Sequence, residues 1–377
     1  MDNILLSTGL AFLITFFSIP VIIEVAKDKK LFDEPGGRKV HKAVIPTLGG
    51  LGIFAGFIIA TLMGVPPSET SVFQYILASV MIIFFMGIKD DILILTASKK
   101  FVGQLIAAGI LIKFGGIQIT NMYGFMGVHA IPHTASFLLT LFAIVVITNS
   151  FNLIDGVDGL AGSLGLLTSL VFGIYFYITG QVLYTIMALS LAGSLIAFLI
   201  YNFNPAKIFM GDTGSLLIGI LNSVFVIKFI SIASDPASVF PLESAAAIGF
   251  SILLVPLFDT LRVVSHRIIN RRSPFAPDRN HIHHFLLDMG LSHRKITYTC
   301  VSANIVFIAL AYLLRSSGTT MVILILVSVA TFAVSIVYHN RPRTRIIISK
   351  TNTKIHEDNL IKSHKILTLA GEPVEQE

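Results

Sequence analysis

Residues 134–159 read TASFLLTLFAIVVITNSFNLIDGVDG. The part up to Ser150 carries no charge and is long enough to cross a hydrocarbon layer as a helix. Polar groups gather at its end, where Asn149, Asn152, Asp155 and Asp158 recur at every third residue. A helical end presents Asn149 and Asn152 on neighbouring turns of one face, and Gly156 and Gly159 then free the backbone. Apolar stretches of the same kind lie near 4–24, 47–65, 72–89, 101–115, 134–150, 160–179, 183–201, 213–231, 244–264, 297–314 and 320–338. Of the 377 residues 54% are hydrophobic and only 13% charged, and the mean hydropathy is +0.83. Ordinary soluble proteins carry roughly twice that charge. A soluble enzyme is excluded, and so is a single-span receptor, because no long polar block exists to build its outer domain. The expected fold is an all-α polytopic integral membrane protein of about 11 transmembrane helices, residues 1–338, followed by a polar tail, residues 339–377.

The N-terminal stretch begins with Asp2 and lacks a basic leader, so it reads as a retained helix rather than a signal peptide. When the loops are numbered alternately, only Lys113, Lys228 and Arg315 of the 27 Lys and Arg fall on one side. The positive-inside rule puts the other, basic side in the cytoplasm, with the N-terminus outside and the C-terminus inside. The net charge of +6 is then accounted for by topology and anionic membrane lipids, with no nucleic-acid partner required. The outer segment 115–133 is Gly-rich with partial alternation and predicts a short hairpin. Arg341, Arg343 and Arg345 open the tail as a membrane-surface anchor. Cys300, the single cysteine, reads as a small buried side chain without redox chemistry.

The acids converge on the cytoplasmic side. Asp90 and Asp91 end the third span, Asp155 and Asp158 follow the fifth, and Asp212 opens the eighth. Clustered carboxylates beside a bilayer repel and cost desolvation, so a cation or a proton-transfer task must compensate. Mg2+ is the natural cation, with Mn2+ as an alternative, since hard ions take oxygen ligands and are shared with substrate phosphates. Phe209-Met-Gly-Asp212-Thr-Gly-Ser215 is a flexible turn entering a helix, suited to a metal-bridged phosphate. The loop Asp278-Arg279-Asn280-His281-Ile-His283-His284 could bind phosphate or sugar hydroxyls, ligate a transition metal, or be a solvated histidine run. Pro256 predicts a kink in the ninth span, and Asp259 with Arg262 reads as a structural ion pair.

Taken together the motifs resemble the polyprenyl-phosphate N-acetylhexosamine-1-phosphate transferases, WecA/TagO branch. The matching pieces, from about residue 31 to 295, are Asp33-Glu-Pro-Gly-Gly-Arg38-Lys39-Val-His41-Lys42 with Leu48-Gly49-Gly50, Asp90-Asp91 with Lys100 and Gln104, the Asn149 to Gly159 run, Phe209 to Ser215, and Asn280-His281-Ile-His283-His284. The resemblance implies transfer of a sugar 1-phosphate from a UDP-sugar to undecaprenyl phosphate in a bacterial inner membrane, with UMP released, as the first membrane step of a surface polysaccharide. It implies that Asp212 and Asn152 hold the metal and that Asp90, assisted by Asp91, is the general base for the lipid phosphate, with a two-step route through an aspartyl-phosphate intermediate as the alternative. It further implies that Asn149, Asp155, Asp158 and Phe209 seat the nucleotide. Arg279, Asn280, His281, His283 and His284 would contact the sugar and its phosphate, and Lys100, Arg38 and His41 the lipid phosphate. A homodimer is compatible with it. In the MurNAc-pentapeptide branch a lysine follows the Asp pair closely, whereas Ile92 to Leu95 are apolar here. The expected donor is therefore UDP-N-acetylglucosamine, ahead of UDP-FucNAc, UDP-QuiNAc or UDP-MurNAc-pentapeptide. The rival from another class is an ion-coupled transporter, which would place its acids at mid-membrane and often show internal repeats; neither is seen.

Overall fold

The computed structural model describes residues 2–29, 45–93, 95–273 and 280–342. The helices are α1 (Asp2–Asp28), α2 (Gly49–Gly64), α3 (Thr70–Leu93), α4 (Ala97–Lys113), α5 (His133–Ile154), α6 (Leu160–Ile178), α7 (Val182–Asn202), α8 (Gly211–Ala233), α9 (Ala245–Ile252), α10 (Leu254–Ile269), α11 (Ile282–Asp288), α12 (His293–Leu313) and α13 (Thr319–Asn340). Every apolar stretch of the sequence lies on a helix. Eight of the described helices are long and apolar enough to cross a membrane, or nine if α9 and α10 together form one span. At 16 residues, α2 rises about 24 Å, short of a hydrocarbon layer of about 30 Å. The predicted hairpin is present as β1 (Asn121–Phe125) and β2 (Val128–Ala130), paired antiparallel.

The chain is a multi-pass membrane protein built around α8. This helix is buried on all sides, and Phe225 and Phe229 interlock with Phe172 of α6 at ring-centroid distances of 6.2 and 5.6 Å. By contrast α1 and α13 bury little of their surface, as helices facing lipid should.

The ninth apolar stretch does not kink at Pro256. It breaks at Leu253, where α9 and α10 meet at 82°. Pro256 lies in the first turn of α10, where a missing N–H removes no helical hydrogen bond. A break inside a membrane leaves backbone groups that no water can satisfy. Asn304 of α12 satisfies two of them: its Nδ2 donates to the Ile252 carbonyl at 2.8 Å, and its Oδ1 accepts from the Val255 N–H at 3.1 Å. An Asn304→Leu variant leaves both unpaired at about 1–3 kcal/mol each. It should lower the melting temperature in detergent by several degrees, and an unchanged melting temperature would show that the bend holds without Asn304.

Candidate active site

The first turn of α8 is the point from which the site is built. Gly211 takes a left-handed φ of +71°, a conformation that glycine adopts without a Cβ clash. No side chain within the turn caps the helix. Asp91, at the end of α3, does so from outside: its Oδ1 accepts from the Asp212 N–H at 2.7 Å, and its Oδ2 from the Thr213 N–H at 3.1 Å and the Thr213 hydroxyl at 2.5 Å. These bonds satisfy donors that a helix start leaves open and place negative charge at the positive end of the dipole. Asp91, expected beside Asp90 in the chemistry, thus spends its carboxylate on holding Asp212 in place.

Small residues let three backbones meet here. A β-carbon on Gly50 would lie 2.2 Å from the Gly214 nitrogen, one on Gly87 2.5 Å from the Thr213 Cα, and one on Gly211 2.2 Å from the Thr47 carbonyl oxygen. The Gly49 and Gly50 N–H groups donate to the carbonyls of Phe209 and Met210, each at 2.9 Å, and the Phe209 N–H donates to Pro46 at 2.7 Å. The Leu48-Gly49-Gly50 motif therefore fixes the turn that carries Asp212.

Asp90 and Asp212 share one cation. Lys100 Nζ lies 2.6 Å from an Oδ2 of each. The other oxygen of Asp90 accepts the Leu95 N–H at 2.5 Å. The other oxygen of Asp212 accepts from Asn152 Nδ2 at 3.0 Å, and that amide also donates to Ser215 Oγ at 3.0 Å. One turn earlier on α5, Asn149 Nδ2 donates to Gln104 Oε1 at 2.6 Å. The sequence spacing that set Asn149 and Asn152 on one face is realised in space.

Lys100, Gln104, Asn149 and Asn152 line a cavity of about 720 Å³, whose polar wall also includes Asp155, Arg267, His281, His283 and His284; Asp90 and Asp212 are not lining residues and adjoin it through Lys100 and Asn152. Phe142 and Val146 line it too, and the same two residues line an almost wholly apolar groove of about 220 Å³ between α5, α8, α9 and α10. A chamber with one polar wall thus adjoins an apolar trough at Phe142 and Val146.

The histidine segment is anchored by the pair that reads as structural in the sequence. Asp259, buried on α10, holds His281 Nδ1 at 2.8 Å through one oxygen. Its other oxygen accepts the Ile282 N–H at 2.9 Å and Arg262 Nη2 at 2.8 Å, and Arg262 also donates to the Asn280 carbonyl. Asp259 therefore sets which face His281 presents. The His283 ring lies over Gly156, where a β-carbon would come within 2.4 Å of Nε2. Among the described residues its buried Nδ1 has no hydrogen-bond partner. Burial, with His284 nearby, holds its pKa down at about 3, so the ring is neutral at neutral pH. Burial and the negative charges of Asp212, Asp91 and Asp158 push Asp155 up to about 8. The histidine rings stack, with His281 and His283 centroids 5.7 Å apart, and among the described residues no three His, Cys, Asp or Glu converge to hold a metal.

Asp158 and Phe209, expected to seat the nucleotide, are not among the residues that line this cavity, as Asp90, Asp91 and Asp212 are not. Asp158 is buried, accepts from Asn204 Nδ2 at 2.8 Å, and sits 3.2 Å from His293 Nδ1, tying its loop to α12 rather than lining the cavity. Phe209 is half-buried beside Pro46 and is also not a cavity residue. Arg38, His41 and Arg279 fall outside the described residues. Arg267 is a residue the sequence analysis did not single out: it is 4% exposed and lines the cavity. Its signal was available, since Asp259, Val263 and Arg267 recur every four residues on the buried face of α10.

Residues 73–230 match the model of glycosyl transferase family 4. The chain is 33% identical over 327 residues to a probable undecaprenyl-phosphate N-acetylglucosaminyl 1-phosphate transferase of Bacillus subtilis, covering 84% of this chain and 87% of that one. It is 34% identical over 308 residues to a decaprenyl-phosphate N-acetylglucosaminephosphotransferase of Mycobacterium leprae, covering 76% and 77%. It is 28% identical over 302 residues to an undecaprenyl-phosphate alpha-N-acetylglucosaminyl 1-phosphate transferase of Escherichia coli, covering 78% and 80%. This likeness over most of each chain, and not over the family-model segment alone, sets the transporter aside. With carboxylates from two helix ends gathered on one lysine, the chain belongs to the polyprenyl-phosphate N-acetylhexosamine-1-phosphate transferases of the WecA/TagO type and is a phosphoglycosyltransferase.

Proposed function

We propose that the protein transfers N-acetylglucosamine 1-phosphate from UDP-N-acetylglucosamine to undecaprenyl phosphate, in a bacterial inner membrane with the cavity facing the cytoplasm. An oxygen of the lipid phosphate attacks the sugar-bearing phosphorus, the bond to the uridine-bearing phosphate breaks, and UMP leaves with undecaprenyl-diphosphate-GlcNAc as the lipid product. The observation that carries this reading is the junction of the chamber walled by Lys100, Asn152, Asp155 and the histidines with the apolar groove at Phe142 and Val146. It suits a reaction between one partner soluble in water and one anchored in lipid. The relatives, undecaprenyl-phosphate N-acetylglucosaminyl 1-phosphate transferases, supply the acceptor and sugar class for this reading.

Asp90 is the proposed base that keeps the acceptor phosphate fully ionised, and Lys100 offsets the charge of the two phosphates as they meet. Arg267, His281, His283 and His284 are the proposed contacts to the sugar and its diphosphate, with Asn149 and Asp155 nearer the nucleotide. Neutral His283 suits hydrogen bonding rather than ion pairing. For Mg2+, or Mn2+ in its place, the donor set fits: Asp212 and Asn152 offer oxygens, an amide's O and N being interchangeable by a flip. A hard ion of this kind takes one or two carboxylates and completes its shell with water and substrate phosphate, so two protein ligands suffice. When bound there it would supply positive charge against the leaving UMP phosphate.

The test is purified protein in detergent with undecaprenyl phosphate, MgCl2 and UDP-N-acetylglucosamine, with UMP release followed against EDTA. Release that needs both lipid and metal is expected. Activity only with UDP-FucNAc, UDP-QuiNAc or UDP-MurNAc-pentapeptide would overturn the donor, and silence with every UDP-sugar would overturn the reaction.

A further inference from the structure

A second cavity, of about 460 Å³, lies between α10 and α13 and is bounded at one end by α11. Phe250, Phe258, Leu261, Val327 and Val334 make it largely apolar, and Arg262 enters at one end. Its lining runs along α13 from Val327 to Tyr338, a rise of about 16 Å, close to one leaflet of a hydrocarbon layer about 30 Å thick. The groove is therefore as deep as an acyl chain is long.

Its polar end is built from stacked cations. The guanidinium carbon of Arg262 lies 5.2 Å from the Phe285 ring centroid, and that of Arg341 lies 4.8 Å from the same ring and 4.4 Å from Tyr338. Phe285 is 1% exposed and so holds both guanidiniums at a fixed place. The charge of Arg262 is offset by Asp259 at 2.8 Å, but among the described residues its buried Nε has no hydrogen-bond partner. Among the described residues no carboxylate pairs with Arg341. In sequence, Arg343 and Arg345 follow at once. An acyl-length trough beside a guanidinium that no carboxylate among the described residues neutralises, with a buried donor left over at Arg262, has the chemistry of an anionic lipid with its phosphate at the interface.

We propose that this groove binds one anionic phospholipid, phosphate at Arg341 and Arg262 and acyl chain along α13, as a site separate from the acceptor groove. The two grooves lie on either side of Phe250 and Leu261, which line both, so the lipid would back the bent helix pair. Phe285 follows His283 and His284 directly on α11. A lipid held there steadies the histidine helix from behind, and lowers the KM for the sugar donor more than it raises kcat. That consequence rests on the proposed function; the binding itself does not.

The experiment is native mass spectrometry of the full-length protein titrated with phosphatidylglycerol or phosphatidylcholine, for wild type, Arg341→Gln and Val334→Trp. Wild type should retain one phosphatidylglycerol in preference to phosphatidylcholine. Removal of one interfacial guanidinium should weaken that retention about fivefold, and the tryptophan should fill the groove and abolish it. Equal retention of the zwitterionic lipid, or wild-type retention by both variants, would overturn the proposal. So would undecaprenyl phosphate displacing phosphatidylglycerol from wild type but not binding Val334→Trp, since the groove would then be an acceptor site. Because the readout is a bound mass, it stands or fails independently of UMP release.

Discussion

Replacing Gly50 by alanine should cut UMP release by about two orders of magnitude in a protein that still folds. The added methyl would lie 2.2 Å from the Gly214 nitrogen and 2.7 Å from its Cα. Both are backbone atoms, so no side chain can swing aside, and the first turn of α8 must move or α2 must retreat. Overpacking of this kind costs about 1–3 kcal/mol of stability, which a bundle this size tolerates. Asp212 sits in the turn that moves, and misplacing a reacting constellation by about 1 Å costs on the order of 100-fold. Steady-state UMP release beside thermal unfolding checks the claim. Activity within twofold of wild type would mean that the α2 contact does not position Asp212. Gly49→Ala is a gentler comparison, because its nearest obstacle is the Phe198 ring at 2.6 Å, a side chain that can shift, although the Phe209 carbonyl lies close behind.

The membrane fold and the gathering of Asp90 and Asp212 were legible for one reason: in an apolar chain a carboxylate is conspicuous and expensive. Asp90, Asp155 and Asp212 announce themselves at helix ends, and the three-residue spacing of Asn149 and Asn152 survives intact on α5. What the sequence hides is long-range division of labour. Asp91 and Asp90 are adjacent and chemically identical, yet one caps a helix more than a hundred residues away while the other faces Lys100. Nothing local distinguishes them. Asp158 looks like Asp155 but points to Asn204 and His293, because the left-handed Gly159 turns the chain between α5 and α6. The break at Leu253 was misplaced for a similar reason, since a proline is a visible breaker whereas Asn304, which stabilises the bend, lies on another helix. Asp259 and Arg262 satisfy a helix-spacing rule so well that their second task, seating His281 and Ile282, leaves no local trace.

Asp212→Asn should be the most damaging single change, and its comparison with Asp91→Asn separates chemistry from scaffolding. The asparagine keeps the size and the contact to Asn152 but removes one negative charge that Lys100 now balances. The proposed metal then loses its only carboxylate among its two protein ligands, and the charge developing on UMP loses its compensation. Removal of one such electrostatic contact is worth about 10²–10³ in kcat, and loss of a metal ligand adds to it, so a fall of at least 10³ is expected, with the Mg2+ concentration for half-maximal rate displaced upward. Asp91→Asn still offers one oxygen to the first turn of α8. It loses a helix-cap interaction of about 1 kcal/mol, visible as a lower melting temperature, while the Mg2+ dependence stays put. If Asp212→Asn retains activity within tenfold and an unchanged Mg2+ profile, Asp212 does not hold the ion. If Asp91→Asn in a folded protein moves the Mg2+ profile as far as Asp212→Asn does, then the carboxylate on α3 belongs to the reacting centre, and the hydrogen bonds it makes to α8 describe only the enzyme at rest.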